Sequence, residues 1–307
     1  MKLINVRKIW DRAPHNAFTD LIRFNNRWYC AFREGQGHVS ADGVGRILVS
    51  DDGEQWASAA ELRADGDVRD PKLCITPDGR LMSVTAAALY RRQSEGVYTG
   101  RDPHQSLAWF SRDGVEWGEP VEIGELNWWL WRVTWHRGMA YGVGREVDSR
   151  RPRLYRSTDG VRFEPWMAYL FGADSEIRGS ESSLLFLPDD RALCLIRGHN
   201  GPAQLGVAEP PYQRWQWQAL PVNIGGPQLV QLPDGRIVAG GRNYGEKVEM
   251  YLWWLDADGR LEPIMALPSG GDTSYPGLVV HEGMLWVSYY SSHEEKTAVY
   301  LARLAID

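Results

Sequence analysis

A tyrosine, a few carboxylates and a set of arginines carry the chemistry this chain can do. Glu181 opens the segment 181–197 and Arg197 closes it, with apolar runs at 184–187 and 193–196 and turn residues Pro188-Asp189-Asp190 between them. In an antiparallel hairpin the first residue of one strand and the last of the next lie at the same end, so Glu181 and Arg197 meet at one mouth. Tyr275, in the segment 270–277, comes by position to that same mouth. Beside a carboxylate base a rim tyrosine can act as a phenolate nucleophile; otherwise it is a hydrogen-bonding or stacking residue. Hairpins related to 181–197 place Arg33, Ala86, Arg145, Arg197, Arg242 and Tyr290 at equivalent strand ends. Four arginines on one rim repel each other unless carboxylates or an anionic ligand offset them. Asp20, Asp70, Glu181, Asp272, Glu34 and Glu146 are the carboxylates at hand. Most are expected to neutralise arginines, leaving one or two for acid/base work. Asp42 stands apart on the Gly-rich loop 35–43, which can either fold over the mouth or remain an ordinary surface loop.

The elements that hold these residues come from one hairpin written six times. Its copies turn at Asn25-Asn26, Pro77-Asp78-Gly79, Arg137-Gly138, Pro188-Asp189-Asp190, Pro233-Asp234-Gly235 and Glu282-Gly283. Second hairpins carry a sharper signature, Ser-x-Asp-Gly-x-x-aromatic, at 50–56, 111–117 and 157–163. There Ser and Asp bond the turn backbone, Gly supplies positive φ, and the aromatic packs under the turn. Four strands at a repeat of roughly 45–60 residues are the signature of propeller blades. The reading is therefore all-β, a single six-bladed β-propeller over 1–307. The N-terminal segment 2–6 lies outside the first unit and is expected to give the outer strand of the last blade, closing the ring.

Bulk properties narrow the function. The 307 residues are 43% hydrophobic with a net charge of -6, which suits a globular protein and disfavours a broad nucleic-acid footprint. No apolar run approaches the ~18 residues of a spanning helix, so no membrane partner is expected. The three cysteines, Cys30, Cys74 and Cys194, sit in apolar strand patterns and read as reduced core residues. With no secretion-type leader in the chain, they point to a cytoplasmic protein. No Cys or His cluster has metal-ligand spacing, so neither a metal nor a cofactor is expected. The 15 tryptophans exceed what core packing usually calls for; Trp128, Trp129 and Trp131 can stack on sugars or pack between blades. Oligomeric state is left open.

Taken together, these motifs resemble the bacterial sialidase (neuraminidase) superfamily, the six-bladed Asp-box (BNR-repeat) propellers, over essentially the whole chain. The resemblance implies an exo-glycoside hydrolase acting with retention on a terminal acidic sugar. It implies Tyr275 as nucleophile in Ser274-Tyr275-Pro276-Gly277-Leu278, Glu181 as its base and Asp42 as acid/base. It also implies carboxylate binding by Arg197 and Arg242, helped by Arg33 or Arg145. Asp70, a rim carboxylate at the start of the second unit, is read as a further substrate-binding residue. Where the family opens its first blade with an arginine, this chain has Ala17-Phe18-Thr19-Asp20-Leu21. Two alternatives keep the fold. One is a lyase on uronic-acid glycans, drawing on His38, His199, His293, Tyr244, Tyr289 or Tyr290; the other is a non-catalytic glycan-binding propeller.

Overall fold

The computed structural model describes residues 1–89 and 103–306. The described residues form six four-stranded antiparallel sheets and no helix. Five blades are each built from consecutive strands, with inner strands His15–Phe24, Asp67–Ile75, Trp128–His136, Gly179–Phe186 and Ile224–Gln231. The sixth takes Thr273–His281, Met284–Ser291 and Ala298–Ala305, and Lys2–Trp10 pairs antiparallel with Ala298–Ala305 as its outer edge. The expected closure by the N-terminal segment is thus present, and it extends to Trp10. Neighbouring inner strands touch in turn, and Thr273–His281 touches His15–Phe24 to complete the circle. Between blades lie layers of Leu, Val and aromatic side chains, such as Tyr29, Ile47, Val68 and Leu107 between blades 1 and 2.

Turn chemistry explains the hairpins. Asn25-Asn26, Arg137-Gly138 and Glu282-Gly283 have positive φ at both positions, the twist that matches a two-residue hairpin loop. In the Ser-x-Asp-Gly-x-x-aromatic turns, Gly53 N donates to Ser50 Oγ at 2.8 Å, and the Glu54 and Gln55 amides donate to Asp52 at 2.7 and 3.0 Å. The Trp56 indole then donates to Gly53 O at 3.1 Å, so the ring seals the loop. The turns at Ser111 and Ser157 repeat the Ser–Gly and Asp–amide bonds. Of the cysteines, all free, Cys30 and Cys194 are buried and Cys74 is half-buried.

One feature of the inner strands is absent from the sequence pattern. Each carries a two-against-one bulge at the same height. Register breaks after Ala17, Arg69, Leu130, Gly179, Gly225 and Ser274. The bulged pairs are Phe18-Thr19, Asp70-Pro71, Trp131-Arg132, Ser180-Glu181, Gly226-Pro227 and Tyr275-Pro276. Phe18, Asp70, Gly226 and Tyr275 take positive φ there, 66°, 53°, 56° and 52°. A bulge re-aims a side chain out of the pleat; five of them bring Phe18, Asp70, Trp131, Glu181 and Tyr275 to the central cluster or the cavity beside it, and the sixth holds Gly226.

Candidate functional site

The bulges plug the centre of the ring with aromatic rings. Phe18, Trp129, Trp131, Tyr275 and Tyr290 form one buried cluster with Ala17 and Ala86. Phe18 meets Tyr275 and Tyr290 edge-on at 5.2 and 5.3 Å between centroids, and Trp131 meets Tyr275 at 5.5 Å. Phe18 stands in the first-blade segment where the resemblance calls for an arginine, and it is buried. Above this plug is a cavity of about 260 Å³, lined by Phe18, Trp129 and Tyr275 and by the charged groups Arg69, Asp70, Arg145, Arg150, Glu181 and Arg197. His38 and Val39 reach it from the loop after blade 1's second strand. Larger grooves of about 510 and 670 Å³ around Arg191, and two of about 340 and 310 Å³ on blades 4 and 5, hold none of these residues.

Tyr275 and Glu181 meet in this cavity. The tyrosine hydroxyl donates to Glu181 Oε1 at 2.6 Å, and both residues are buried. Gly226 makes the reach possible: a Cβ there would stand 2.5 Å from the Tyr275 ring, so the ring leans across blade 5 toward blade 4. Arg197 Nη1 donates to Glu181 at 2.9 and 3.2 Å and to the Tyr275 hydroxyl at 3.3 Å. Burial opposes the Glu181 charge, but Arg197 and the Tyr275 and Ser180 hydroxyls outweigh it and bring the carboxyl down to about 2. Burial and the Glu181 charge push the Tyr275 phenol well above its ordinary value. The resting pair is therefore carboxylate and neutral phenol.

The four rim arginines divide in two. Arg33 and Arg242 are true structural equivalents: each pairs with the residue just before a bulge, Ala17 and Gly225. Each is spent on a carboxylate that opens, or just precedes, the next blade's inner strand. Arg33, expected to bind substrate, does not line the cavity. It is fully buried, donating to Asp67 at 2.5 Å, to Gly37 O at 2.8 Å and to the carbonyl and hydroxyl of Ser40 at 3.1 and 2.9 Å. Arg242 lies behind Tyr275, donating to Thr273 O at 2.7 Å, Tyr290 at 2.7 Å and Asp272 at 3.3 Å. Arg145 and Arg197 are offset by one residue in opposite senses. Arg145 pairs with Trp129, and Arg197 stands opposite the bulge at Ser180-Glu181. A one-residue offset reverses the face of a strand, and these two line the cavity. Arg145 Nη1 is buried with no partner among the described residues, and burial lowers its pKa to about 10. Ala86 has its arginine on the facing strand: it pairs with Arg69, which also lines the cavity.

Asp42, expected as the proton donor, does not line the cavity. Its exposed carboxylate accepts from the Gln36 amide at 3.1 and 3.3 Å, within its own loop. Partial burial pushes its pKa up, but bonds from Ser40 and Gln36 outweigh this and hold it below the usual range. Asp70 does line the cavity. Most other carboxylates neutralise cations as expected: Asp20 accepts from Arg132 at 2.9 and 3.0 Å, and Glu34 from Arg46 at 2.7 Å. Arg69, Arg150 and Phe18 escaped the sequence reading. Arg69-Asp70-Pro71 could have signalled the first; Arg150 lies on the loop between the second and third strands of blade 3, outside the repeated first hairpin.

His15, His38 and Asp272 each place one ligand atom within 4.8 Å of the others, close enough for three ligands of a divalent cation. Those atoms already bond one another, His38 Nδ1 and His15 Nε2 lying 2.7 and 3.0 Å from Asp272 Oδ2. Arg242 and Tyr290 hold the other carboxylate oxygen, and the His15 ring's remaining nitrogen is buried without a partner among the described residues. A metal on Nε2 would leave that nitrogen as an unsatisfied N–H donor. The trio is a hydrogen-bonded network tying the loop at His38 to blade 6.

No protein-family model and no curated protein sequence matches this chain. Solved structures do. A protein of unknown function from Dyadobacter fermentans superposes with a TM-score of 0.84 at 18% identity, covering 100% of this chain and 99% of that one. An alpha-L-arabinanase of Penicillium chrysogenum, complexed with arabinobiose, gives 0.76 at 14% identity, covering 99% of each chain. The Trypanosoma rangeli sialidase gives 0.72 at 11% identity, covering 95% of this chain and 55% of that one. At these identities the likeness establishes the six-bladed propeller.

Proposed function

We propose that this chain is a retaining exo-glycoside hydrolase acting on a terminal sugar that bears a carboxylate. The observation that carries the reading is the buried 2.6 Å bond from the Tyr275 hydroxyl to Glu181 at the floor of a cationic cavity. A cavity of about 260 Å³ takes roughly one sugar ring, and the aromatic plug prevents a chain from threading past it. Arg145 and Arg197 are the cations placed to hold the substrate carboxylate, since Arg binds that group in a bidentate fork. The likeness to propellers described as arabinanase and sialidase supports a glycosidase; the arginines support an acidic sugar, and the Ser-x-Asp-Gly turns fit the Asp-box propellers.

A tyrosine suits the nucleophile's task because a second carboxylate would be repelled by an anionic substrate. Glu181 is too weak a base to ionise Tyr275 at rest, so the proton moves as the Tyr275 oxygen bonds to the anomeric carbon. Water then displaces the tyrosine, which recovers its proton from Glu181, and configuration is retained. Tyr275→Phe and Glu181→Gln should each lower turnover of acidic aryl glycosides by about 10²–10⁴-fold, and a fluorinated acidic glycosyl fluoride should add its sugar mass to Tyr275. Undiminished turnover in both variants would sink the reading, and an ultraviolet-absorbing unsaturated product would assign the site to elimination.

A further inference from the structure

We propose that Asp70 is the proton donor to the leaving oxygen and then the base that activates water, a role that rests on the hydrolase reading above. Geometry supports this first. Asp70, Glu181 and Tyr275 occupy the bulges of blades 2, 4 and 6, alternate positions around one ring. Tyr275 leans over Gly226 in blade 5, and in a six-bladed ring blade 2 is opposite blade 5. The carboxyl of Asp70 thus faces the nucleophile pair across the cavity, where the leaving group of a sugar attacked by Tyr275 would lie.

The side chain is aimed and unspent. Asp70 is 3% exposed, lines the cavity, and its Oδ1 has no hydrogen-bond partner among the described residues. A positive φ of 53° holds it in the bulge, and Pro71 follows with no N–H to offer it. A buried carboxyl oxygen left unpaired is costly, and a glycosidic oxygen or water would satisfy it. The charged and titratable groups facing it are Arg69, Lys72, Glu181, His38, Arg145 and Tyr275. Burial dominates, and with the Glu181 charge it outweighs the lowering pull of Arg69, Lys72 and His38, so the carboxyl titrates near 6. Near that pH Asp70 can both give and accept a proton; Asp42, held below the carboxylate range, is a poor donor.

The step balances. As the anomeric C–O bond breaks, the Asp70 proton goes to the departing oxygen, which keeps the bonding pair, while Tyr275 bonds the anomeric carbon and Glu181 takes the phenol proton. In the second half, Asp70 takes a proton from water as the water oxygen bonds the same carbon, and the bond from that carbon to Tyr275 breaks as the tyrosine oxygen keeps the pair and recovers its proton from Glu181.

The experiment compares wild type, Asp70→Asn, Asp70→Ala and Asp42→Asn on 4-nitrophenyl and methyl glycosides of glucuronic, galacturonic and N-acetylneuraminic acids. Circular dichroism establishes that the variants fold. The nitrophenyl group leaves without a proton and the methoxy group does not, so Asp70→Asn should lose about 10²–10⁴-fold on the methyl glycoside and far less in the bond-breaking step on the nitrophenyl one. Azide should restore turnover of the nitrophenyl substrate to Asp70→Ala and give a glycosyl azide, because a small anion needs no base. Asp42→Asn should behave as wild type. Equal losses on both substrates without azide rescue, or no loss, would overturn the role of Asp70 while leaving the Tyr275–Glu181 reading standing. No turnover of any acidic glycoside by the wild-type chain would overturn both.

Discussion

At the scale of single residues, two pairs decide how the site works. Arg33 and Arg145 look interchangeable in a hairpin alignment, yet one residue of register sends the first into Asp67 and the second into the cavity. The Arg33–Asp67 pair has no exposed side-chain surface and anchors the loop that carries His38. Asp70 and Glu181 are both buried carboxylates, but Glu181 has Arg197 against it and Asp70 has an unpaired oxygen. Their pKa values therefore separate, to about 6 and about 2. Stability should report this. In the folded chain Asp70 titrates near 6, above the ~3.9 of an unfolded aspartate. Its favourable contribution is complete below about pH 4 and is lost as pH rises toward 6. Asp70→Asn should gain stability relative to wild type across that window, by on the order of 2–3 kcal/mol at neutral pH. Denaturant unfolding at pH 4 and pH 7 measures the difference; a gap independent of pH would contradict the buried, unpaired carboxyl.

At the scale of the element, the bulge is the working unit. It allows an inner strand to keep its outer part in a regular ladder while turning one side chain toward the axis. Proline follows the bulged residue in blades 2, 5 and 6, where it removes an N–H from the interrupted ladder. Gly226 is the bulged residue that contributes space instead of chemistry. Gly226→Ala would put a methyl group 2.5 Å from the Tyr275 ring at a φ of 56°. Strain at that angle costs roughly 1–2 kcal/mol, and the displaced ring would lose its bond to Glu181. The expected result is a folded protein with far lower turnover; a variant as active as wild type would show that Tyr275 does not need the space above blade 5.

At the scale of the whole molecule, closure matters most. Lys2–Trp10 covers the free edge of Ala298–Ala305, and Trp10 packs with Trp28, Phe32 and Leu301 where the last blade meets the first. Removing residues 2–10 would expose a strand edge and open that layer. The truncated chain should unfold at lower denaturant concentration and associate through the bare edge, which light scattering and urea titration would detect. A monomer of unchanged midpoint would mean that the ring closes adequately with three strands.

The sequence by itself determined the six units, their turns, the closing strand, and the assignment of Tyr275, Glu181 and Arg197 to one mouth. Each of these is local: a turn needs its own Gly, Asn or Asp, and a half-buried strand needs its own alternation. Which arginine faces the cavity, where Asp70 points, and why Asp42 does not join it were decided only by tertiary structure. A bulge shifts the count by one residue without changing composition, and that single step moves a side chain to the other face. The reach of Tyr275 to Glu181 spans from blade 6 to blade 4 across a glycine in blade 5, and no pattern within a single strand encodes a distance between blades.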